Sequence, residues 1–210
     1  MTSSALTAKP QSSPSRGPGR PREFDLDCVL ESAVRVFQQR GYHAASIGDL
    51  AEGMGLSTGS LYKAFKDKRG IFLAAYDRMT QQRTAEMRAL LELPVSGREM
   101  LRLALMHYVE QSSSAQGRQG CLVVATAVEL STLDDEIAER VAATFRQRQQ
   151  ALAEMVERGQ ADGSIAARID TADAARLVFC LLQGMRVLGK TGPAYEELAK
   201  SVELALQALD

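Results

Sequence analysis

The chain has 210 residues, 45% hydrophobic and 24% charged, which suffices for one small and one medium domain with packed cores. No apolar run approaches the ~18 residues of a membrane span, and the N-terminus lacks the apolar core of a secretory signal, so neither insertion nor export is expected. The net charge of −1 hides an asymmetry: residues 1–70 carry ten Lys and Arg against seven Asp and Glu, the rest fifteen against nineteen, and a basic end on an acidic body points to nucleic acid at the basic end.

Residues 1–22 are rich in Ser, Pro and Gly and read as a disordered basic arm. Within it, Arg16-Gly17-Pro18-Gly19-Arg20-Pro21-Arg22 resembles the Gly-Arg-Pro core of AT-hook minor-groove binders. Arg20 and Arg22 on a Pro-stiffened arm suit a narrow, electronegative A·T minor groove; a solvated tail adding only charge is the alternative. Helical periodicity starts at Phe24, with Leu26, Leu30, Ala33 and Phe37 on one face and a stop at Gly41. Ser46 to Met54 and the stretch after Gly55-Leu56-Ser57 to Phe65 make two further short helices, so residues 23–70 are expected to form a unit of three short helices. Helices are then expected over about 69–91, 97–112, 121–131, 134–159, 171–190 and 194–208. The fold class is therefore all-α, with residues 71–210 a larger body of about six helices. Thr132-x-x-Asp135 looks like a capping box opening the longest of them, whose apolar stripe is Ile137, Val141, Phe145, Leu152 and Met155.

Ile47, Leu50, Ala51 and Met54 fall at i, i+3, i+4 and i+7, one buried face, with small Ala51 at the closest helix crossing. Gly55 suits the left-handed conformation that ends a helix, and Ser57 suits the cap of the next, whose inner face is Leu61 and Phe65. This spacing is that of a helix-turn-helix. The outer face of its second helix carries Thr58, Gly59, Ser60, Tyr62 and Lys63: small polar groups to enter a major groove, then an aromatic and a cation to reach phosphates. A helical hairpin that merely packs would share the Ala and Gly spacing.

The run Gly-Leu-Ser-Thr-Gly-Ser-Leu-Tyr over residues 55–62, with Phe65 and the Lys68-Arg69-Gly70-Ile71-Phe72 start of a long helix, resembles the TetR/AcrR family of regulators. The likeness is detailed over about residues 25–75 and lies only in helix count and length beyond. It implies a repressor that leaves a double-stranded DNA operator when a small molecule binds. It also implies a three-helix DNA-binding domain over residues 23–70, with Thr58, Gly59 and Ser60 facing bases, Tyr62 contacting phosphate and Lys68 meeting the phosphate backbone; Ser46, Ser57 and Lys63 complete the set expected to contact DNA. Where the family often has a polar or aromatic pair before the phenylalanine, this chain has Lys63-Ala64; Lys63 or Lys66 is expected to substitute.

Three widely spaced cysteines, Cys28, Cys121 and Cys180, argue against a disulfide framework and fit the cytoplasm. Cys28 and Cys180 read as core. Cys121 opens a helix, which favours the thiolate, so a repressor sensing electrophiles through Cys121 is the alternative to reversible ligand binding. His43 and His107 lack partners at metal-ligand spacing, no cofactor is expected, and no catalytic constellation suggests an enzyme. Met79, Met106, Cys121, Val124, Phe145, Phe179 and Gln183 are the candidates for a mostly apolar inducer pocket, and each could equally be plain core. Apolar residues on two sides of the second-last helix (Ala174, Leu177, Leu181, Met185 and Leu188; Ala175, Val178 and Leu182), with Leu198, Val202, Ala205 and Leu209 on the last, predict a homodimer through a four-helix bundle. The operator would then be roughly palindromic.

Overall fold

The computed structural model describes residues 25–210; Arg20, Arg22 and the rest of the basic arm lie outside them. Among the described residues the chain folds into nine α-helices and two short 3-10 turns, without strands. In order these are α1 (Leu26–Ala44), α2 (Ile47–Met54), α3 (Thr58–Phe65), α4 (Lys68–Leu91), α5 (Gly97–Ser113), α6 (Leu122–Glu129), α7 (Asp135–Ala161), α8 (Thr171–Leu188) and α9 (Tyr195–Gln207). None of these helices is long and apolar enough to cross a membrane.

Local chemistry sets most of the helix starts. Side-chain oxygens of Asp25, Ser46, Ser57, Asp67, Ser96, Asp134 and Asp170 accept from backbone N–H groups that have no partner within the helix. The cap of α7 is Asp134, which accepts from the Ile137 N–H at 3.1 Å, and not the Thr132-x-x-Asp135 pair expected from sequence. Gly41 has φ 76°, so α1 is interrupted there as its glycine suggests, although one more turn follows to Ala44.

Two apolar cores result. The upper one gathers Leu30, Phe37, Leu50, Leu61, Phe72 and Tyr76 from α1–α4, and continues into Leu122 and Val123 of α6 and Ile137 and Val141 of α7. Phe37 and Phe72 meet edge to face at 5.2 Å within it. The lower core is built by α5, α7, α8 and α9 around Leu101, Leu105, Leu152, Met155, Leu182 and Val202. Phe145 packs against both cores. The packing therefore runs unbroken across residue 70, the boundary expected between the two domains.

Ion pairs reinforce the upper junction. Arg69, at the start of α4, holds Asp134 at 2.9 Å and Glu136 at 2.6 Å; Arg140 holds Glu136 at 3.0 Å and also pairs with Asp77. The Arg69 guanidinium keeps the Asp134 and Glu136 carboxyls below their ordinary range. Pairs this exposed contribute little individually; their effect is to set the start of α7 against α4.

Two cysteine expectations are corrected. Cys28 and Cys180 are exposed, the former beside Asp25 and the latter on the outer face of α8, and only Cys121 is buried.

Candidate nucleic-acid interface and interior cavity

The α2–turn–α3 unit follows from a few contacts. Leu50, Met54 and Leu61 are buried in the upper core, while Ile47, Ala51 and Phe65 are half-buried at its edge. Gly55 ends α2 at φ 65°, ψ 28°, and its N–H reaches the carbonyls of Ala51 and Glu52. A side chain there would force an L-residue into the left-handed region. Sequence reasoning placed the close approach at Ala51, but Gly53 is tight as well: a Cβ on it would lie 2.5 Å from Cγ2 of Val36.

The side chains expected to meet DNA fall into three groups. Thr58, Gly59, Tyr62 and Lys63 are exposed along one side of α3, and Tyr62 retains 53% of its accessible surface. A large aromatic left this open in a folded chain is available to a partner. Ser46 and Ser57 act first as helix caps: Ser46 forms a reciprocal box with Asp49, and Ser57 accepts from the Ser60 N–H at 3.1 Å, its oxygen 2.9 Å from that of half-buried Ser60. Their roles at DNA would be to fix the exposed N-termini of α2 and α3.

Lys68 is different, because its side chain is engaged within the fold. Its ammonium donates to the carbonyls of Tyr42 at 2.9 Å, His43 at 3.3 Å and Ala45 at 3.0 Å, and lies 4.7 Å from the centroid of the Tyr42 ring. An ammonium has three protons, and all three are engaged with the end of α1. Lys68 thus closes the C-terminus of α1 with its side chain. Lys68→Met is expected to destabilise the fold by about 1–3 kcal/mol, the worth of charge-assisted hydrogen bonds, while leaving the salt dependence of DNA binding unchanged. Chemical denaturation and mobility shift at several salt concentrations check the two halves separately.

Deeper in the molecule, a cavity of about 350 Å³ lies between α1, α4, α5 and α8. Gln38, Met79, Arg83, Gln111 and Arg186 are among its lining residues, with Glu31 and Glu86 at exposed positions. Of the pocket residues expected from sequence, Met79 alone lines it. Phe145 and Phe179 pack edge to face at 5.2 Å, Met106 packs on the lower core, and Val124 packs on the upper. Cys121 is buried in the upper core. The Gln183 amide is buried with neither its oxygen nor its nitrogen hydrogen-bonded. The lining is polar and charged, so the expected apolar pocket does not assemble. Sequence reasoning passed over three arginines: Arg83 and Arg186 line this cavity, Arg148 lies outside its lining, and the guanidiniums of all three pull on the Cys121 thiol. Burial pushes that thiol up, yet Arg186, Arg83 and Arg148 together bring it below its ordinary value.

Comparison with known proteins agrees with this arrangement. The family described as "Bacterial regulatory proteins, tetR family" matches residues 29–75, and "Tetracyclin repressor-like, C-terminal domain" matches residues 97–201. The HTH-type transcriptional repressor ComR of Escherichia coli (strain K12) is 30% identical over 86% of this chain and 86% of its own length. An HTH-type regulator of Bacillus subtilis (strain 168), YezE, is 26% identical over 91% of this chain and all of its own. A cysteine-substituted form of the TetR family transcriptional regulator CifR, solved with 26-base-pair double-strand operator DNA, superposes with a TM-score of 0.80 at 34% identity, covering 91% of this chain and 100% of that one. These relatives are regulators rather than enzymes. Matched at both its helix-turn-helix and its helical body, the chain belongs to the TetR family of bacterial transcriptional regulators.

Proposed function

We propose that this DNA-binding regulator is a homodimeric cytoplasmic repressor that leaves a roughly palindromic operator when a small molecule fills the cavity between α1, α4, α5 and α8. The carrying observation is the open face of α3, where Thr58, Gly59, Tyr62 and Lys63 stand exposed on a helix whose other side is locked into the core. Thr58, Gly59 and Ser60 would face base edges at the helix N-terminus, and Tyr62 and Lys63 the phosphates. Residues 23–70 serve as the reading unit, and Arg20 and Arg22 of the arm would add contacts in the flanking minor groove.

The dimer reading rests on apolar surface left on α8 and α9. Leu177 is 52% exposed, Val187 54% and Leu204 69%, with Leu181 and Gly184 on the same side of α8 as Leu177. Of the two stripes expected there, Ala174, Ala175, Val178, Leu182 and Met185 are buried within the single chain. The surface left for a second copy is therefore the Leu177–Leu181–Gly184–Leu188 side.

The effector reading rests on what walls the cavity. α1 belongs to the upper core that holds α2 and α3, α5 and α8 belong to the lower one, and α4 runs through both, with Met79 in the upper and Met87 and Leu91 in the lower. A molecule seated there touches both, so its binding energy can favour one spacing of the two reading units over another.

Lys63→Ala should weaken operator and non-operator DNA alike, and should reduce the slope of log K against log salt by about one unit. A mobility-shift series measures this. An unchanged slope with altered base preference would move Lys63 from the phosphates to the bases. A second reading, electrophile sensing through Cys121, is favoured by its arginine neighbours. It requires that an electrophile release DNA from the parent and fail to do so from Cys121→Ser.

A further inference from the structure

Arg83, Arg148 and Arg186 each sit where a helix's apolar stripe lapses. Arg83 falls between Met79 and Met87 of α4, Arg148 between Phe145 and Leu152 of α7, and Arg186 one turn after Leu182 of α8. Arg148 and Arg186 are each 5% exposed. Among the described residues none of the three is in an ion pair, although twelve other pairs are present. Their protein partners are neutral: Arg83 donates to Gln111 at 2.9 Å and Arg186 to the Gly120 carbonyl at 3.5 Å. Nη1 and Nη2 of Arg148 and Nε of Arg186 are buried with no partner at all. Close by, the Gln183 amide and the Ser112 hydroxyl have unused hydrogen-bonding capacity.

Such a cluster is costly. Buried charges are ordinarily paired, and a guanidinium cannot relieve the cost by losing its proton. Burial and the neighbouring Arg186 and Arg148 charges work against Arg83, while Cys121 opposes them. A Cys121 thiolate would supply one negative charge against three positive ones. The carboxylates that line the cavity, Glu31 and Glu86, are both exposed, and Glu86 faces His107 at 3.9 Å.

We propose that the cavity binds an organic oxyanion, its carboxylate or similar head group held inward by Arg83 and Arg186, and its body along Met79 and Val34, with the unpaired Arg148 charge adding to the field from outside the lining. Guanidinium forks match carboxylate and phosphate oxygens, and about 350 Å³ exceeds a bare inorganic ion and falls within the range of small-ligand pockets. This names the ligand class for the effector site proposed above, and rests on that reading only for its consequence at DNA.

The test uses the full chain, with thermal midpoint and calorimetric titration at constant ionic strength. Probes are benzoate, its neutral isostere benzamide, and inorganic sulfate, each against chloride. Benzoate and sulfate should raise the midpoint, benzamide should not, and Arg186→Gln and Arg83→Gln should each weaken benzoate at least tenfold. Without anion, Arg148→Met should melt at or above the parent, since an unpaired buried charge has gone; should it fail to fold, Arg83→Gln replaces it. Benzamide acting as strongly as benzoate, no response to either oxyanion, or full binding in the Arg83 and Arg186 variants would each overturn the proposal. Sulfate binding with benzoate inert would overturn its organic part. Anion binding that never alters operator occupancy would instead sink the effector reading and leave the anion site standing.

Discussion

On the proposed homodimer, Gly184→Glu is expected to run as a monomer in sedimentation at concentrations where the parent would run as a dimer. Gly184 lies on the exposed side of α8, and a Cβ there meets nothing within 4 Å in the single chain. The substitution therefore costs the monomer nothing in packing, and it replaces a poor helix former within a helix. In the dimer the carboxylate would lie against the partner's helices, and the two-fold axis would bring a second one. An uncompensated charge at a buried contact costs roughly 3–5 kcal/mol, which weakens association from about a hundredfold to a few thousandfold. A monomer would offer one α3 to the two half-sites of the proposed palindromic operator, so DNA affinity should collapse while helicity by circular dichroism persists. Leu181→Glu is the poorer probe, because Leu181 is half-buried against the lower core. A Gly184→Glu protein that remains a DNA-competent dimer would place the dimer surface elsewhere.

The opposite behaviour is expected at Gly97. In an isolated helix, Gly→Ala stabilises by ~0.5–1 kcal/mol. At Gly97, however, the new Cβ would lie 2.0 Å from the Gly159 nitrogen and 2.4 Å from the Met155 carbonyl oxygen, both backbone atoms of α7. Neither can turn aside as a side chain would, so α5 and α7 must part and the lower core between them must loosen. The Gly97 N–H also donates to Asp162 at 2.8 Å, tying the start of α5 to the end of α7. Overpacking typically costs ~1–3 kcal/mol, and with backbone on both sides Gly97→Ala should fall at the upper end of that range or beyond. Gly184→Ala, with open space around it in the single chain, should stabilise by the helix-propensity difference of ~0.5–1 kcal/mol. Denaturant midpoints of the two variants, measured side by side, should move in opposite directions.

The helices were legible in the sequence because their apolar spacing and their caps agree. Ser46, Gly55 and Ser57 punctuate α2 and α3 where local hydrogen bonding requires it. The outer face of α3 was legible for the same reason, since a short amphipathic helix assigns each position a side. What stayed hidden depends on long-range geometry. Lys68 follows the reading helix and looks free to meet a phosphate, and only the fold brings the carbonyls of Tyr42, His43 and Ala45 within its reach. Ala174 and Leu177 both read as one apolar stripe, yet one is core and the other surface, because the lower core covers just part of α8. The arginine cluster did leave a trace, a charged residue at a core-facing register in three separate helices. Nothing in the linear order showed that the three converge.

The continuity of the upper core bears on how this architecture can be recombined. If the reading unit were an autonomous module, a segment ending near residue 70 could be grafted onto another helical body and keep its specificity. Ile71, Phe72, Ala75 and Tyr76 lie beyond that cut, and so do Leu122, Val123, Ile137 and Val141, which complete the same hydrophobic cluster. A chimera joined at residue 70 inherits the groove-facing residues without the surface that seats them, and its solubility depends on whether the new host matches the missing side chains. A junction after Met79 retains the α4 half of the cluster. The host must then supply only the apolar ridge of α6 and the first turns of α7, with an acidic pair at the place where Asp134 and Glu136 receive Arg69.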